Sequence, residues 1–575
     1  MAQVIPSDTQ QVGDPGHTTV VHNNIADMLG LLTAVIAQAG GSPNLSPVPP
    51  ATAAVAAVQA IQAGQMMDDS RDFHPEAYGS NVGDGKIVTD GAMSTGTATL
   101  TCATSTPFVS TDVGKYVLVQ NAGSATLTGN TLVATITGFT SASVVTLSTN
   151  ALVTVSSAYI CFGTDCTAAI NSAVQAAYAY ALAGPLEAVI QFLPKIYMVA
   201  GALVQGNASW GPGNAQIPFP FVAMNKPKIT IVFEGIPDTP LIHYGLNSTP
   251  IVAGAAVVNC ATTLGTNHVT FGPASVFGGY THQQGAGDSV FSNFRPVFQG
   301  LTVVTPYNGT YSAVDCYGCI GMGIRSLSCV TFAAPPDMAN PTTNISVGNQ
   351  WTFGLRTPTT SNDGNPFIDN YVASGYGYGL ALSEHVSGSR GFTLNNVMGI
   401  GLFSTTSGGG MLHNTRLHYW CCESNNIQLG CIGGTDTICI DIGTLDVDGG
   451  VGSPKYVISD PNSLIRGQVL LRGNGSTYTF NGGMTKLKVI DGDLAPGHVT
   501  APGVPATTVS FQNPFWRDAA IAITPGASTC AVTIDGTATG ITLASSGVGQ
   551  TFFLPSGKSI VLTYTSAPTW TWVVL

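Results

Sequence analysis

Phe73-His74-Pro75-Glu76-Ala77-Tyr78-Gly79-Ser80-Asn81-Val82-Gly83-Asp84-Gly85 and Thr164-Asp165-Cys166-Thr167-Ala168-Ala169-Ile170-Asn171-Ser172-Ala173-Val174 are the two stretches whose reading decides the fold. The second opens a helix: Thr164 can cap it, Ile170, Val174, Tyr178 and Leu182 share one face, and Gly184-Pro185 ends it. Between the two stretches, residues 86–163 carry β-branched runs, among them Ala98-Thr99-Leu100-Thr101, Tyr116-Val117-Leu118-Val119 and Leu132-Val133-Ala134-Thr135-Ile136, broken by Gly, Ser and Asn turns. They predict a small β-sandwich or barrel. From about residue 186 to 495, short apolar strands recur between Gly, Asn, Ser and Asp, for example Ile229–Phe233, Leu301–Val304, Gly391–Leu394, Ile438–Ile442 and Gln468–Leu471. A repeat of roughly 20–30 residues predicts stacked coils, each burying its apolar side only against its neighbours.

Joined end to end, the two opening stretches resemble the "YGAxGDG…DDTAAIxxAI" motif of the pectate-lyase-like right-handed β-helix proteins, a group that includes many phage tailspikes and tail fibres. Ala188-Val189-Ile190-Gln191-Phe192-Leu193-Pro194-Lys195-Ile196-Tyr197-Met198-Val199 is similar to the "VxLPxGxY" of that family's first coil. The resemblance implies a mainly β chain: a right-handed parallel β-helix formed by residues 71–85 plus 164–495, with the helix covering its N-terminal end and residues 86–163 inserted into the motif. Cys166 stands where the family has its second acidic residue, and Lys195-Ile196 where it has Pro-Gly; both departures touch turns and caps. Pro107–Lys115 resembles an "F…DVGK" element of inserts in phage tail proteins. Lyases, hydrolases and passive adhesins share this fold, so the resemblance fixes fold before function.

Both ends of the chain carry further signals. Gly13-Asp14-Pro15-Gly16-His17, followed by His22-Asn23-Asn24, resembles the opening of minor tail proteins of phages that infect actinobacteria. Ile25, Met28, Leu29, Leu32, Val35 and Ile36 then follow a helical period. A Pro-rich linker leads to Ala51–Ala63, a second helix suited either to a multi-chain bundle or to a bare linker. Residues 1–70 are expected to be a helical tail-attachment region and linker. Residues 496–575 read as a C-terminal β-sandwich-like domain, and Tyr564-Thr565-Ser566-Ala567-Pro568-Thr569-Trp570-Thr571-Trp572 resembles the terminal module of actinobacteriophage minor tail proteins.

Composition excludes several partners. Charged residues make up 8% of the 575-residue chain and apolar residues 44%. The surface must therefore be covered mainly by Ser, Thr, Asn, Gln and Gly. A formal net charge of -12 with 18 Lys and Arg argues against nucleic acid. The first residues lack the basic and apolar regions of a secretory signal, and Met28–Ala39 is too short to span a bilayer, so synthesis in the host cytoplasm without membrane insertion is expected. No cofactor is expected. Of the 12 cysteines, Cys316 and Cys319 form a lone C-x-x-C, so no metal site is expected. Cys421, Cys422, Cys431 and Cys439 read instead as thiols stacked in the coil interior. His413 and His418, five apart, face opposite ways along one strand and form a poor chelating pair.

Acids beside aromatics mark the candidate sugar groove. If the chain is an enzyme, the candidates are Glu384, Glu423 and Asp441, because a glycoside hydrolase places two carboxyl groups across the scissile bond. Tyr376, Tyr378, Trp420, Trp570 and Trp572 are the candidates for stacking on sugar rings, although for the last two a core or inter-chain role is the preferred reading, because alternating aromatics are common inside small β-domains. Neither the paired Asp and Gly-His-Gly signatures of polygalacturonases nor the clustered calcium-binding Asp pattern of pectate lyases is present. Two readings follow: a homotrimeric virion tail fibre that attaches to host surface glycan and docks on other tail-tip proteins through its N-terminus, or a tailspike depolymerase that cleaves the glycan.

Overall fold

In the computed structural model the described residues run from 71 to 574, leaving out connecting segments of which the longest are 204–220, 236–253, 272–290, 333–351, 358–365, 404–411 and 492–502. The helices expected within residues 1–70 lie outside the described residues. The chain is mainly β with large parallel sheets. It visits three sheet faces in a fixed order. Ile229–Gly235, Ala255–Asn259 and His268–Phe271 make one turn, and Phe294–Gln299, Leu301–Thr305 and Tyr311–Asp315 make the next. Each strand pairs in parallel with its counterpart one turn on, as Val257 does with Val303 and Val303 with Cys329. A chain that returns to the same face travelling the same way can pair only in parallel, so this is a β-helix-like stack.

The stack is held by columns of side chains one turn apart. Leu301, Leu327, Tyr371, Gly391, Trp420, Leu445, Val469 and Val489 form one column of register partners, with steps from Tyr371 onward of 20 to 29 residues. Beside it run Val303, Cys329, Ala373, Thr393, Cys422 and Val447. Cys329 and Cys422 are fully buried, and burial pushes both thiols well above their ordinary range. Cys422 thus fills the interior as a small apolar side chain, whereas its neighbour Cys421 faces the other way and is only half-buried. Side-chain amides stack in matched sets in the interior: Asn396 Nδ2 donates to Asn425 Oδ1 at 3.1 Å, and Asn425 Nδ2 donates to Gln428 Oε1 at 3.1 Å. Stacked amides satisfy each other where water is excluded.

The helix Thr167–Leu182 packs Ile170, Val174 and Tyr178 into the same core as Ile190, Phe192 and Phe233 of the first turns. Two details differ from expectation. Leu182 is 54% exposed, because the final turn overhangs the coil. The capping oxygen comes from Asp165, which accepts from the Thr167 amide at 2.9 Å, while Thr164 donates from its amide and hydroxyl to Asp84, each at 2.8 Å.

Asp84 and Thr164 thereby join the two halves of the opening motif across the insert. Between them, Lys86–Met93, Thr99–Cys102, Val144–Leu147, Leu132–Ser141, Tyr116–Val119 and Val155–Gly163 close into a barrel rather than a sandwich. The barrel has its own core around Leu100, Phe108, Val117, Ile136 and Ile160. Two contacts fasten it to the coils. Lys115 Nζ lies 2.8 Å from both Asp84 and Asp112, which assigns a structural role to the "DVGK" element. In addition, Leu118 and Cys161 on the outside of the barrel pack on Met198, Val258, Cys260, Val304, Val330 and Phe332.

At the C-terminus two antiparallel sheets face each other. One contains Ser510–Gln512, Ser559–Tyr564, Cys530–Ile534 and Thr537–Leu543; the other contains Gln550–Leu554, Ala519–Thr524 and Thr569–Val574. Ile521, Ile523, Phe552, Leu562, Trp570 and Trp572 meet between them.

Candidate functional site

From Ser387 onward the first two faces merge into single long strands: Ser387–Leu394, Leu412–Glu423, Ile438–Asp448, Leu464–Arg472 and Lys486–Asp491. The first three of these strands turn a corner midway. In the second of them Arg416 points out, Leu417 in, His418 and Tyr419 both out, and Trp420 in. The same phase change occurs one turn earlier, where Ser389-Arg390 lies between buried Gly388 and Gly391, and one turn later, where Gly443-Thr444 lies between Ile442 and Leu445. Two consecutive outward residues are how a strand bends around its own core.

Glycine makes the corner tight at two levels. A Cβ on Gly391 would lie 2.3 Å from the Trp420 ring, so the bare backbone of one turn is the seat of the indole of the next. Gly467 has φ +132°, and a Cβ there would sit 1.5 Å from the Ile442 carbonyl oxygen. With no side chains at Gly443 and Gly467, the corner is hollowed into a groove of about 350 Å³ lined by Arg416, His418, Asp441, Ile442, Gly443 and Gly467. That is within the size range of small-ligand sites.

Arg416 Nη2 and Asp441 Oδ2 are 3.7 Å apart with side chains 64% and 43% exposed, so the pair is weak and both groups stay accessible to hydroxyls. Next to His418 along the strand, Tyr419, 40% exposed, donates from its hydroxyl to Asp446 Oδ2 at 2.8 Å. This fixes the ring on the outer face. The arrangement supplies a fork of donors, a carboxylate acceptor, an imidazole and an anchored aromatic face, a set suited to holding a polyhydroxylated ligand. Among the described residues no group of three His, Cys, Asp or Glu is placed to hold a metal ion.

The five aromatic candidates lie elsewhere. Trp420 is fully buried beneath the corner, and Tyr376 is buried with its hydroxyl donating to the Val330 carbonyl at 3.2 Å. Tyr378 stacks on Phe353 at 5.5 Å, and burial pushes its hydroxyl up to about 12. Trp570 and Trp572 do share one face, but it is the inner one, where they meet edge to face at 5.2 Å. None of the five presents a ring to a sugar, because in each case the opposing layer or the next coil covers it. Sugar stacking by these five rings is therefore corrected to packing, and the exposed aromatic that follows groove-lining His418 in the strand is Tyr419.

The acidic candidates are dispersed as well. Glu384 lies outside the described residues. Asp441 is the register partner of Arg416, whereas Glu423 is seven residues further along the same strand, a separation of about 20 Å at the rise of a strand. That is far beyond the span of a hydrolase acid pair, roughly 5–9.5 Å. Glu423 is itself the register partner of Asp448, about 5 Å away on the next strand, and Asp446 pairs with Cys421, two residues from Glu423, at about 8 Å. Yet Asp446 is only 4% exposed and already receives the Tyr419 hydroxyl.

No protein-family model and no curated protein sequence matches the chain. Among solved structures, the catalytic unit of a thermostable GH87 α-1,3-glucanase from Streptomyces thermodiastaticus aligns over 71% of this chain and 87% of its own, with 11% identity and a TM-score of 0.25. The tailspike gp61 of Pseudomonas phage phi297 aligns over 85% of this chain and 82% of its own, with 9% identity and a TM-score of 0.15. Scores this low leave the fold to stand on its own strand register.

Proposed function

We propose that this chain is a virion tail protein, a tail fibre or minor tail protein, that attaches the particle to host surface glycan through the corner groove of its coil stack. The observation that carries the reading is the groove itself, with accessible Arg416, His418 and Asp441 in its lining and Tyr419, anchored by Asp446, next to His418 along the strand. Aromatic face, guanidinium and carboxylate are the groups that hold pyranose rings and their hydroxyls. The tail-protein resemblances of residues 13–24 and 564–572 support the virion setting. In this reading residues 1–70 fix the protein to neighbouring tail-tip proteins, residues 86–163 form a docked insert, residues 496–575 form a terminal module, and three chains assemble side by side.

Adhesion is favoured over depolymerisation by the carboxylates. Asp441 and Glu423 stand too far apart to act on one bond, and Glu423 with its register partner Asp448 lies about 20 Å along the strand from the groove. The test is purified full-length protein on polysaccharide from actinobacterial cell envelopes, following retention together with reducing ends and chain size. Retention without new reducing ends is expected. Release of new ends by the wild-type protein, lost on Glu423→Gln, would establish the depolymerase instead.

A further inference from the structure

We propose that the groove selects an anionic glycan, one bearing carboxylate or phosphodiester groups, and that the polymer runs along the coil axis, crossing the strands. The proposal rests on the glycan-attachment reading and adds the ligand's charge and direction. Its basis is where the cations stand. The whole chain has 18 Lys and Arg among 575 residues and a formal net charge of -12. Five of those cations, Arg390, Arg416, Arg466, Lys486 and Lys488, fall on the corner strip in four of five successive turns, and the remaining turn places Asp441 there.

Their register is what turns composition into a site. Arg416, Asp441, Arg466 and Lys486 are partners in consecutive strands, and Lys488 pairs with Gln468 beside them. Neighbouring strands lie about 4.8 Å apart, so backbone positions bearing cations recur along the axis at about 5–10 Å intervals. A linear polyanion laid on this strip meets them one after another, whereas a compact anion meets only one or two. Arg466 and Lys486 are register partners, so two cationic positions stand on adjacent strands. Neutral sugars need no such row, since hydroxyls are served by the Arg416, Asp441 and Tyr419 set alone. The bare backbone at Gly443 and Gly467 leaves the path open across the turns.

The experiment uses the full-length protein on immobilised polygalacturonate, poly(glycerol phosphate) and neutral dextran, with the wild type compared with Arg416→Glu. Arg416 is 64% exposed, so the charge reversal leaves packing intact, which a circular dichroism melt checks. Binding to one or both polyanions but not to dextran is expected, falling at least ~10-fold as salt rises from about 50 to about 200 mM, because several charge contacts are screened together. Arg416→Glu should weaken it a further ~10-fold. Binding to polygalacturonate alone assigns carboxylate as the recognised group, and binding to poly(glycerol phosphate) alone assigns the phosphodiester. Equal binding to dextran, no binding to either polyanion, salt-independent binding, or an Arg416→Glu variant that binds like wild type would each overturn the proposal. Adsorption of labelled protein to actinobacterial cells tests glycan attachment separately: adsorption that resists salt leaves that reading standing while refuting this one.

Discussion

Trp420 and Tyr419 are adjacent, yet the corner assigns them opposite duties, and exchanging them in turn for Ala separates stability from recognition. Trp420 is fully buried against Gly391 of the preceding turn and is the register partner of Leu445 in the next. Trp420→Ala should cost about 3–5 kcal/mol, the transfer free energy of the ring plus the cavity it leaves. Gly391→Ala alone should cost ~1–3 kcal/mol, since the new methyl would begin 2.3 Å from the indole. In the double variant the methyl enters the vacated space, so the two penalties should fall short of their sum by ~1 kcal/mol or more. Tyr419→Ala, by contrast, removes a 40% exposed ring and one hydrogen bond to Asp446, so it should cost about 1–2 kcal/mol, well below Trp420→Ala, while lowering glycan affinity about 5-fold. Guanidinium unfolding followed by far-ultraviolet circular dichroism measures the stabilities, and retention on envelope polysaccharide measures the affinity. Strict additivity of the Gly391 and Trp420 substitutions, or a loss of affinity by folded Trp420→Ala that exceeds the loss by Tyr419→Ala, would refute the placement of the indole inside and the phenol outside.

Three further outcomes follow from the geometry. Deleting residues 86–163 and joining Gly85 to Thr164 should leave the coils folding cooperatively, because Asp84 and Thr164 already meet at 2.8 Å, but it uncovers Met198, Val258, Cys260 and Val304 and should promote self-association; a deletion variant without any cooperative transition counts against it. Burial of the Asp84 carboxyl would raise it, but Lys115 and the two Thr164 donors outweigh that and hold it below its ordinary value, while burial of Lys115 is outweighed by Asp112 and Asp84, which raise it. The lowered acid contributes stability above the unfolded carboxylate value, ~3.9, that is lost as pH falls through the folded one; the raised amine contributes stability below ~10.4 that is lost as pH rises through its folded value. Proteolysis at the barrel junction should therefore rise at both extremes in the wild type and change far less with pH in Lys115→Met. Light scattering of the full-length protein should give three times the 59.0 kDa chain mass, and a single-chain mass removes the trimer.

Much of the architecture is a local property and was legible along the chain. The apolar face of the helix Thr167–Leu182, the β-branched runs of the insert and the recurrent strands each satisfy a periodicity of their own backbone, whatever surrounds them. The interruption of the opening motif was likewise visible, because Asp84 and Thr164 serve one junction from two distant positions. The binding face was much less so. Asp441 was singled out as an acid, but Arg416 and Tyr419 were not, although the gathering of Arg390, Arg416, Arg466, Lys486 and Lys488 in a cation-poor chain was the signal that pointed there.

What the sequence determined by itself was the period: residues alternate along each strand, and Trp570 and Trp572 must share a face. Which face is inside was decided only by the second sheet closing over them. At the corner even the alternation is overridden. Counted from buried Leu417, a strict period of two would turn Tyr419 inward and Trp420 outward, and the structure does the reverse. The reason lies one turn away: Gly391 leaves a space that only the indole fills, and accepting it forces two outward residues in a row. A strand carries its own period, but its phase around a bend is set by the coil it lands on.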